Sequence, residues 1–234
     1  MKSFYPATLL CDFYKVSHRI QYPKNTHHVY STMIARGNKY YPEADEGSVS
    51  AGMQPFIIQY LVEYFNENFF NRKKEEVLEE YQFYIYYSIK NPGNIAGLSE
   101  EEQEQGMKAV DVDHLAELWE LGYLPIEIKG IAEGTLIPLR VPMMTIENTD
   151  KRFFWLTNYL ETLLSNEVWL SVTSATTSRL YRKILNEYAL ETTGTTAGVE
   201  FQGHDFSMRG MQSKESAAAS GAAHLFSFVG SDTI

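Results

Sequence analysis

The residues best suited to chemistry lie near the end of the sequence, in HDFSMRG (204–210) and in Ser231 and Asp232. Phe206 offers a flat ring on which a planar heterocycle can stack. Arg209 carries a fork of N–H donors that suits a phosphate, and Asp232 offers an acceptor for an amide NH2 group. Together these three side chains predict a binding site for a nucleotide made from an aromatic amide.

Two strands and a helix must bring these residues together. GVEFQG (198–203) and LFSFVG (225–230) have the pattern of strands, and QSKESAAASGAAHLF (212–226) predicts a helix between them. A six-residue strand and a helix of about 13 residues both travel roughly 20 Å, so the helix can return the chain for a parallel second strand. Both strands then end at the same face, which in α/β barrels holds the active site.

Each of these side chains also has a structural interpretation. An aromatic residue near a strand end more often packs in the core than stacks on a ligand, and a single arginine or aspartate usually lies on the surface. His204 and His224 could act as general acids, but a histidine without a visible partner is more often structural. AAASGAA (217–223) lacks the spacing of a phosphate-binding loop, which favours close helix packing. Only the three side chains in combination support a ligand site.

The residues before this segment predict strands and helices in alternation. Strand patterns occur at His28–Ile34 and at 125–134, whereas the two prolines of TLIPLRVPMMTIEN (135–148) suit an edge or a bend better than a central strand. A domain boundary near residue 150 is weakly marked. Helical patterns begin at Pro55 and occupy 73–89, which NPGN (91–94) ends. A capping pattern at Ser99 and Glu102 follows, and then a helical pattern at 111–121 that Gly122 ends. Two more helical patterns lie at 152–166, after Thr149 and Asp150, and at 174–193, before Gly194.

The composition narrows the class of protein. With 234 residues, 44% of them hydrophobic and 21% charged, the chain can bury a core and is typical of one or two globular domains. Cys11 is the single cysteine, and no Cys/His spacing resembles a zinc site, which favours a reducing compartment. No run approaches the roughly 20 apolar residues that span a bilayer, so we expect a cytoplasmic protein without a membrane partner. A net charge of −10 argues against a nucleic-acid partner.

Four segments resemble, in order, the nicotinamide phosphoribosyltransferase family: DFYKVSHRIQYP (12–23), TIENTDKRFFWLTNYLETLL (145–164), ATTSRLYRKILNEYALETTG (175–194) and HDFSMRGMQSKESAAASGAAHLFSFVGSDT (204–233). The resemblance implies a pentosyltransferase that joins nicotinamide to phosphoribosyl pyrophosphate, giving nicotinamide mononucleotide and pyrophosphate in NAD salvage. It also implies a homodimer with active sites at the subunit interface. The implied fold class is α/β, with an amino-terminal α+β region (1–150) followed by the first part of an incomplete β/α barrel of the type II phosphoribosyltransferase kind (151–234).

The resemblance also implies roles for individual residues. Phe206 is similar to the ring that stacks on one side of the pyridine, and Tyr14 to the opposing ring, which the family supplies from the neighbouring subunit. Arg209 resembles a residue that binds phosphate of the nucleotide or of pyrophosphate, and Arg36 is similar to an arginine near the phosphates of a nucleotide. Asp232 resembles the carboxylate that receives the carboxamide nitrogen. Mg2+ is expected together with phosphoribosyl pyrophosphate, and ATP is expected to stimulate the complete enzyme.

This sequence departs from the family in its length, because the family enzymes are about twice as long. The further portion carries, in the family, the phosphorylated histidine, the carboxylates that hold the ribose and the glycine-rich phosphate loops, so no catalytic residue is assigned. We therefore expect the isolated chain to be inactive or nearly so. Two alternatives stay open: a phosphoribosyltransferase of the nicotinate type, and a non-catalytic fragment for dimerisation or binding.

Overall fold

The computed structural model describes residues 5–90 and 92–233, so Asn91 in the predicted break at NPGN lies outside the described residues. The protein is mixed α/β, and the incomplete barrel stays a prediction. The chain forms two compact units. Unit 1 comprises the stretch up to Val29, Ile57–Glu127 and Glu147–Thr162; unit 2 comprises Tyr30–Phe56, Ile128–Ile146 and the stretch from Leu163. Both units include residues from either side of position 150, and the boundary expected there stays a prediction.

The helices and strands are numbered in chain order. The α-helices are α1 (Lys15–Gln21), α2 (Met53–Phe56), α3 (Lys74–Ile89), α4 (Pro92–Ile95), α5 (Glu100–Lys108), α6 (Asp113–Leu121), α7 (Leu156–Tyr159), α8 (Glu161–Thr193), α9 (Ser207–Gly210) and α10 (Lys214–His224). The strands are β1 (Tyr30–Ile34), β2 (Ser48–Val49), β3 (Ile126–Gly130), β4 (Leu136–Ile137), β5 (Pro142–Asn148), β6 (His204–Asp205) and β7 (Gly230–Ser231). Two segments, Ile57–Tyr64 and Asn66–Phe70, are π-helical. Within the described ranges, no helix is both long enough and apolar enough to cross a membrane.

Unit 1 is mainly helical and has an aromatic core. Large side chains from α3, α6, the π-helical segment before α3 and the 3-10 turn at 151–153 are almost completely buried, namely Phe69, Tyr81, Leu115, Leu118 and Phe153. Burying a large apolar side chain stabilises the fold by about 1.5–3 kcal/mol. These residues therefore account for much of the stability of unit 1.

Several predicted helix ends are confirmed. Ser99 and Glu102 form a capping box at the start of α5, in which each side chain accepts a hydrogen bond from the other residue's main-chain N–H. Gly122 ends α6 in the left-handed region with φ of +81°, where a Cβ would be strained. The helix predicted from Pro55 is present as α2 and the π-helical segments that follow it.

The sheets confirm some of the predicted strands and correct one interpretation. One sheet has the order β1-β5-β3, and β2 pairs with β4 in an antiparallel ladder. The expectation that 135–148 forms an edge or a bend is wrong for β5, which is the central strand. Pro142 is the first residue of β5, a position at which a missing N–H is tolerated. Pro138 lies between β4 and β5, where the chain bends.

The two helices predicted after residue 150 are largely one helix. Asp150 caps a short 3-10 turn, with its side chain accepting a hydrogen bond from the main-chain N–H of Arg152. After the single turn of α7, α8 runs without interruption for 33 residues. No glycine or proline occurs between Glu161 and Thr193, so nothing in the sequence stops the helix. Gly194 follows it with φ of +74°.

The strands predicted at 198–203 and 225–230 are wrong in extent. Val199–Phe201 is a 3-10 turn, and the residues after α10 continue in turns until β7. In a strand, Val199 and Phe201 would share one face. Val199 is instead buried, whereas Phe201 is 70% exposed. No residue of 198–203 is in a strand, because β6 begins just after that segment, and β7 shares only Gly230 with the segment 225–230.

Candidate functional site

The candidate site lies in unit 2, where β6 and β7 pair side by side. The two strands are parallel, with His204 opposite Gly230 and Asp205 opposite Ser231. Helices α9 and α10 connect them, which confirms the predicted order of strand, helix and parallel strand. The segments that follow the two strands, 206–209 and 232–233, therefore leave the sheet in the same direction. We call them the exit loops; the first includes most of the single-turn helix α9.

His204 connects the aromatic ring of one exit loop to the carboxylate of the other. Its Nε2 atom lies 3.1 Å from Oδ1 of Asp232, and its ring centroid lies 5.1 Å from that of Phe206. The Phe206 side chain is 54% exposed and the Asp232 side chain is 60% exposed. The structure thus brings Phe206 and Asp232 to one surface, as the sequence predicts. His204 has the partner that the sequence did not reveal.

Asp205 lies directly beneath this surface and is only 8% exposed. Its Oδ1 accepts a hydrogen bond from the hydroxyl of Ser207, and its Oδ2 accepts one of 3.1 Å from the hydroxyl of Ser231. Its main-chain oxygen accepts a hydrogen bond of 2.9 Å from the main-chain N–H of Asp232. Burial alone would raise the pKa of the Asp205 carboxyl, but hydrogen bonds, led by that from Ser207, hold this pKa below its ordinary value.

A row of hydroxyl groups continues from Asp205 into the helices. The hydroxyl of Ser207 lies 3.0 Å from that of Ser220 on α10, which in turn lies 3.0 Å from that of Ser174 on α8. Each hydroxyl has one proton to donate. The Ser207 hydroxyl therefore has two acceptors within reach, Oδ1 of Asp205 and Oγ of Ser220, and its proton goes to one of them at a time.

The small residues of α10 allow this close approach. Ala217 and Ala223 are buried, and a Cβ added to Gly221 would lie 3.0 Å from Oδ2 of Asp205 and 3.1 Å from Cβ of Thr233. Those separations are tighter than ordinary van der Waals contact. The AAASGAA segment of α10 thus serves close packing, as its sequence suggests. Its small side chains allow α10 to lie close to the ends of both strands.

The other predicted ligand residues lie on the surface of their own units. Arg209 is exposed in α9, and its main-chain N–H donates to the oxygen of Phe206 over 3.0 Å. Arg36 is exposed just after β1 in unit 2. Tyr14 is exposed in unit 1, where Nζ of Lys15 lies 5.3 Å from its ring centroid. The phosphate contacts of the two arginines and the stacking role of Tyr14 stay predictions.

His224 has the environment of a structural histidine. Its ring stacks on Phe228 with centroids 5.0 Å apart, and its Nδ1 lies 3.2 Å from the hydroxyl of Ser178. Its Nε2 is buried and has no hydrogen-bond partner in the part of the chain that the structure describes. These contacts favour the structural interpretation over a role as a general acid.

Unit 2 also contains a cavity of about 620 Å3 along α8, lined in part by Arg179, Arg182 and Lys183. Arg179 and Lys183 each donate to Glu46 over 2.8 Å, and Arg182 donates to the main-chain oxygen of Ser227 over 2.8 Å. All three cations are engaged by the protein itself. The cavity is therefore a weaker candidate for an anion site than the exit loops.

Asp205, Ser207 and Ser231 lie in the segments that the sequence singles out, but the sequence assigns no role to any of the three. The sequence carries one hint of them, because a small hydroxyl residue occurs near each of the two aspartates at the strand ends. Short polar side chains at strand ends commonly bond to neighbouring loops. That hint does not show which aspartate is buried.

The chain is similar to nicotinamide phosphoribosyltransferases along most of its length. A family model described as the amino-terminal domain of nicotinamide phosphoribosyltransferase matches residues 7–89, and one described as the nicotinate phosphoribosyltransferase family matches residues 201–234. The nicotinamide phosphoribosyltransferase of Acinetobacter baylyi is 41% identical over 226 residues, which are 95% of this chain and 42% of that protein. That of Mycoplasma genitalium is 35% identical over 230 residues, which are 97% of this chain and 49% of that protein.

Similarity to a solved structure supports the fold. The crystal structure of human nicotinic acid phosphoribosyltransferase matches with a TM-score of 0.57 and 15% sequence identity, covering 95% of this chain and 36% of that one. At this level of identity the match concerns the fold alone. The chain spans a little under half the length of the curated relatives that it matches.

Proposed function

We propose that this chain, which belongs to the nicotinamide phosphoribosyltransferase family by its match to the amino-terminal half of those enzymes, provides part of the site for nicotinamide and its nucleotide. The complete enzyme would transfer the phosphoribosyl group of phosphoribosyl pyrophosphate to nicotinamide, giving nicotinamide mononucleotide and pyrophosphate. The observation that carries the proposal is the parallel pairing of β6 and β7, which holds Phe206, His204 and Asp232 at one surface.

In this proposal the exit loops hold the base. Phe206 has an exposed ring on which the pyridine stacks, and the Tyr14 ring of a second copy of the chain covers the opposite face. Asp232 accepts the carboxamide N–H; because His204 engages only its Oδ1 atom, Oδ2 can take this bond. Arg209 and Arg36 supply donors for phosphate groups.

The reaction needs placement more than proton transfer. The ring nitrogen of nicotinamide has a lone pair and needs no deprotonation before it attacks C1 of the sugar. As the bond from nitrogen to C1 forms, the bond from C1 to the pyrophosphate oxygen breaks, and pyrophosphate leaves with that electron pair. Holding the ring against Phe206 aligns the nitrogen with C1, and arginine side chains stabilise the charge on the leaving group. No general base is required for this step.

Asp232 would favour nicotinamide over nicotinate. A nicotinate carboxylate about 4 Å from it would meet a repulsion of roughly 1 kcal/mol in bulk water and roughly 4 kcal/mol at an effective dielectric constant near 20. Because the Asp232 side chain is 60% exposed, water screens much of this repulsion. We therefore expect discrimination of about tenfold from this contact.

Other components of the proposal come from the family resemblance alone. They are a homodimer, Mg2+ bound with phosphoribosyl pyrophosphate, and stimulation by ATP. The proposed cytoplasmic location depends instead on the single cysteine and on the lack of a long apolar run in the sequence. Among residues 5–90 and 92–233, no group of three or more His, Cys, Asp and Glu side chains could hold a metal ion.

Nucleotide binding tests the proposal directly. Isothermal titration calorimetry of the purified chain should show saturable binding of nicotinamide mononucleotide, and binding of nicotinate mononucleotide about tenfold weaker. Binding of neither nucleotide would overturn the proposed site. An isotope-traced assay with nicotinamide and phosphoribosyl pyrophosphate should show little or no product from the chain alone. Rapid product formation would overturn that second expectation while supporting the reaction.

The second candidate is a phosphoribosyltransferase of the nicotinate type, which the family match at residues 201–234 favours. Substituting Asp232→Asn separates the two. If the site selects nicotinamide, the substitution should remove most of the preference between the two mononucleotides, because the repelling charge is gone. An unchanged preference would remove this explanation of selectivity, and an initial preference for nicotinate would favour the second candidate.

A non-catalytic dimerisation fragment is the third candidate. Light scattering on the calorimetry samples identifies it, because stable self-association without binding of either nucleotide is the result that it predicts.

A further inference from the structure

The buried carboxylate of Asp205 has no direct part in the proposed binding of the nucleotide. All the side chains proposed to touch the ligand are exposed, whereas Asp205 is 8% exposed and lies beneath them. A buried ionised carboxylate is costly unless it is fully hydrogen-bonded. Its position at the end of β6, directly beside β7, therefore points to a structural role for the carboxylate.

The two oxygens of the Asp205 carboxylate bond to different segments, one after β6 and one in β7. Oδ1 accepts from Ser207, which follows β6, and Oδ2 accepts from Ser231 in β7. Asp205 thus bonds its own segment to Ser231, 26 positions further along the sequence. Replacing one of these oxygens with a donor would turn one hydroxyl away from Asp205, towards Oγ of Ser220 for Ser207 or the main-chain oxygen of Thr233 for Ser231.

Further hydrogen bonds close the exit loops around this link. The main-chain N–H of Met208 donates to the hydroxyl of Thr233 over 3.2 Å, and the main-chain N–H of Thr233 donates to the hydroxyl of Ser231 over 3.0 Å. The main-chain N–H of Asp232 donates to the main-chain oxygen of Asp205. Both loops are therefore bonded to Asp205 or to one of its direct partners.

We propose that Asp205 is a positioning residue, which ties the two exit loops together and so sets the separation between Phe206 and Arg209 on one loop and Asp232 on the other. This role deepens the proposed function and rests on it. Asp205 does not touch the substrate, because both its oxygens face Ser207 and Ser231. Misplacing a binding group by a fraction of its contact distance weakens binding even when the group itself is intact.

An amide at this position should fail because of its donor and acceptor pattern. Asparagine has the shape of aspartate but replaces one accepting oxygen with an NH2 group that only donates. The hydroxyl of Ser207 or of Ser231 then has to donate elsewhere, to Oγ of Ser220 or to the main-chain oxygen of Thr233. The substitution Asp205→Asn therefore breaks the link while adding no bulk.

The first measurement needs no ligand. Amide hydrogen exchange followed by NMR should show exchange of the Met208 and Asp232 amides at least tenfold faster in Asp205→Asn than in the natural chain. The matched control is Ser213→Ala, which removes the cap of α10, a hydrogen bond of 3.1 Å from the main-chain N–H of Ser216, without touching the exit loops. That control should lower stability to urea but leave the exchange of the two loop amides within twofold.

The second measurement is the affinity for nicotinamide mononucleotide. Asp205→Asn should raise the dissociation constant at least tenfold. Ser231→Ala, which keeps the negative charge of Asp205, should also raise it. Because both substitutions break one link, their double variant should lose little more affinity than Asp205→Asn alone. Should Asp205→Asn fail to fold, Ser231→Ala carries both measurements.

The outcomes separate the two proposals. Loop amides that exchange as slowly in Asp205→Asn as in the natural chain would overturn the positioning role, as would equal effects from Ser213→Ala. If the natural chain binds no nucleotide, the proposed function fails, and the exchange result alone decides whether Asp205 ties the loops.

Discussion

The buried imidazole of His114 should make unit 1 sensitive to acid. His114 lies in α6 with its ring against those of Tyr81 and Trp155, at centroid distances of 6.1 and 5.1 Å. Its Nδ1 atom is buried and lacks a hydrogen-bond partner among the described residues. Burial, with a smaller contribution from the Arg19 cation, lowers the pKa of His114 from 6.5 to about 4. The folded protein therefore holds this side chain in its neutral form.

The sign and size of the effect follow from linkage. Because the folded pKa lies below the unfolded one, the stabilisation is complete above pH 6.5 and is lost as the pH falls towards 4. A shift of about 2.5 units, at roughly 1.4 kcal/mol for each unit, corresponds to about 3 kcal/mol. That is a large fraction of the roughly 5–15 kcal/mol by which domains are stable.

His114→Phe is the informative substitution, since it keeps an aromatic ring of similar size and removes the titrating group. Urea unfolding at several values between pH 7 and pH 4 should show a loss of unfolding free energy that is smaller by about 3 kcal/mol in the variant. NMR of the folded natural chain should follow the His114 ring and give a pKa near 4. The same pH dependence in both proteins, or a ring that titrates near its ordinary value, would refute the reasoning.

Two further predictions concern the site. Gly221→Ala adds a Cβ 3.0 Å from Oδ2 of Asp205, so we expect a net loss of about 1–2 kcal/mol in unfolding free energy, although alanine favours a helix by about 1 kcal/mol. Urea unfolding measures this against Gly210→Ala, where an added Cβ meets nothing within 4 Å, and a gain in stability for Gly221→Ala would contradict the close packing. Phe206→Ala should weaken binding of nicotinamide mononucleotide by about 1–3 kcal/mol in calorimetry. Phe201→Ala, which removes a similarly exposed ring, is the control, and equal losses from both would rule out a specific stack on Phe206.

The elements that the sequence predicts well have local causes. The capping box of Ser99 and Glu102 and the glycine stop at Gly122 depend on residues a few positions apart, and both are present. The crossover from β6 through α10 to β7 is also predicted, because a helix of that length returns the chain. Alternation at 198–203 is a weaker guide, since Val199 and Phe201 face different environments in a turn.

The sequence alone determined that Phe206 and Asp232 follow consecutive parallel strands, and that a helix of small residues separates them. Only the tertiary structure decided that Asp205 is buried while Asp232 is exposed, and that His204 has a carboxylate partner. The physical reason is that the burial of a carboxylate depends on what packs around it. Asp205 is enclosed because α10 approaches at Gly221 and because Ser231, distant in sequence, points a hydroxyl at it. Contacts between residues so far apart leave no local pattern in the sequence.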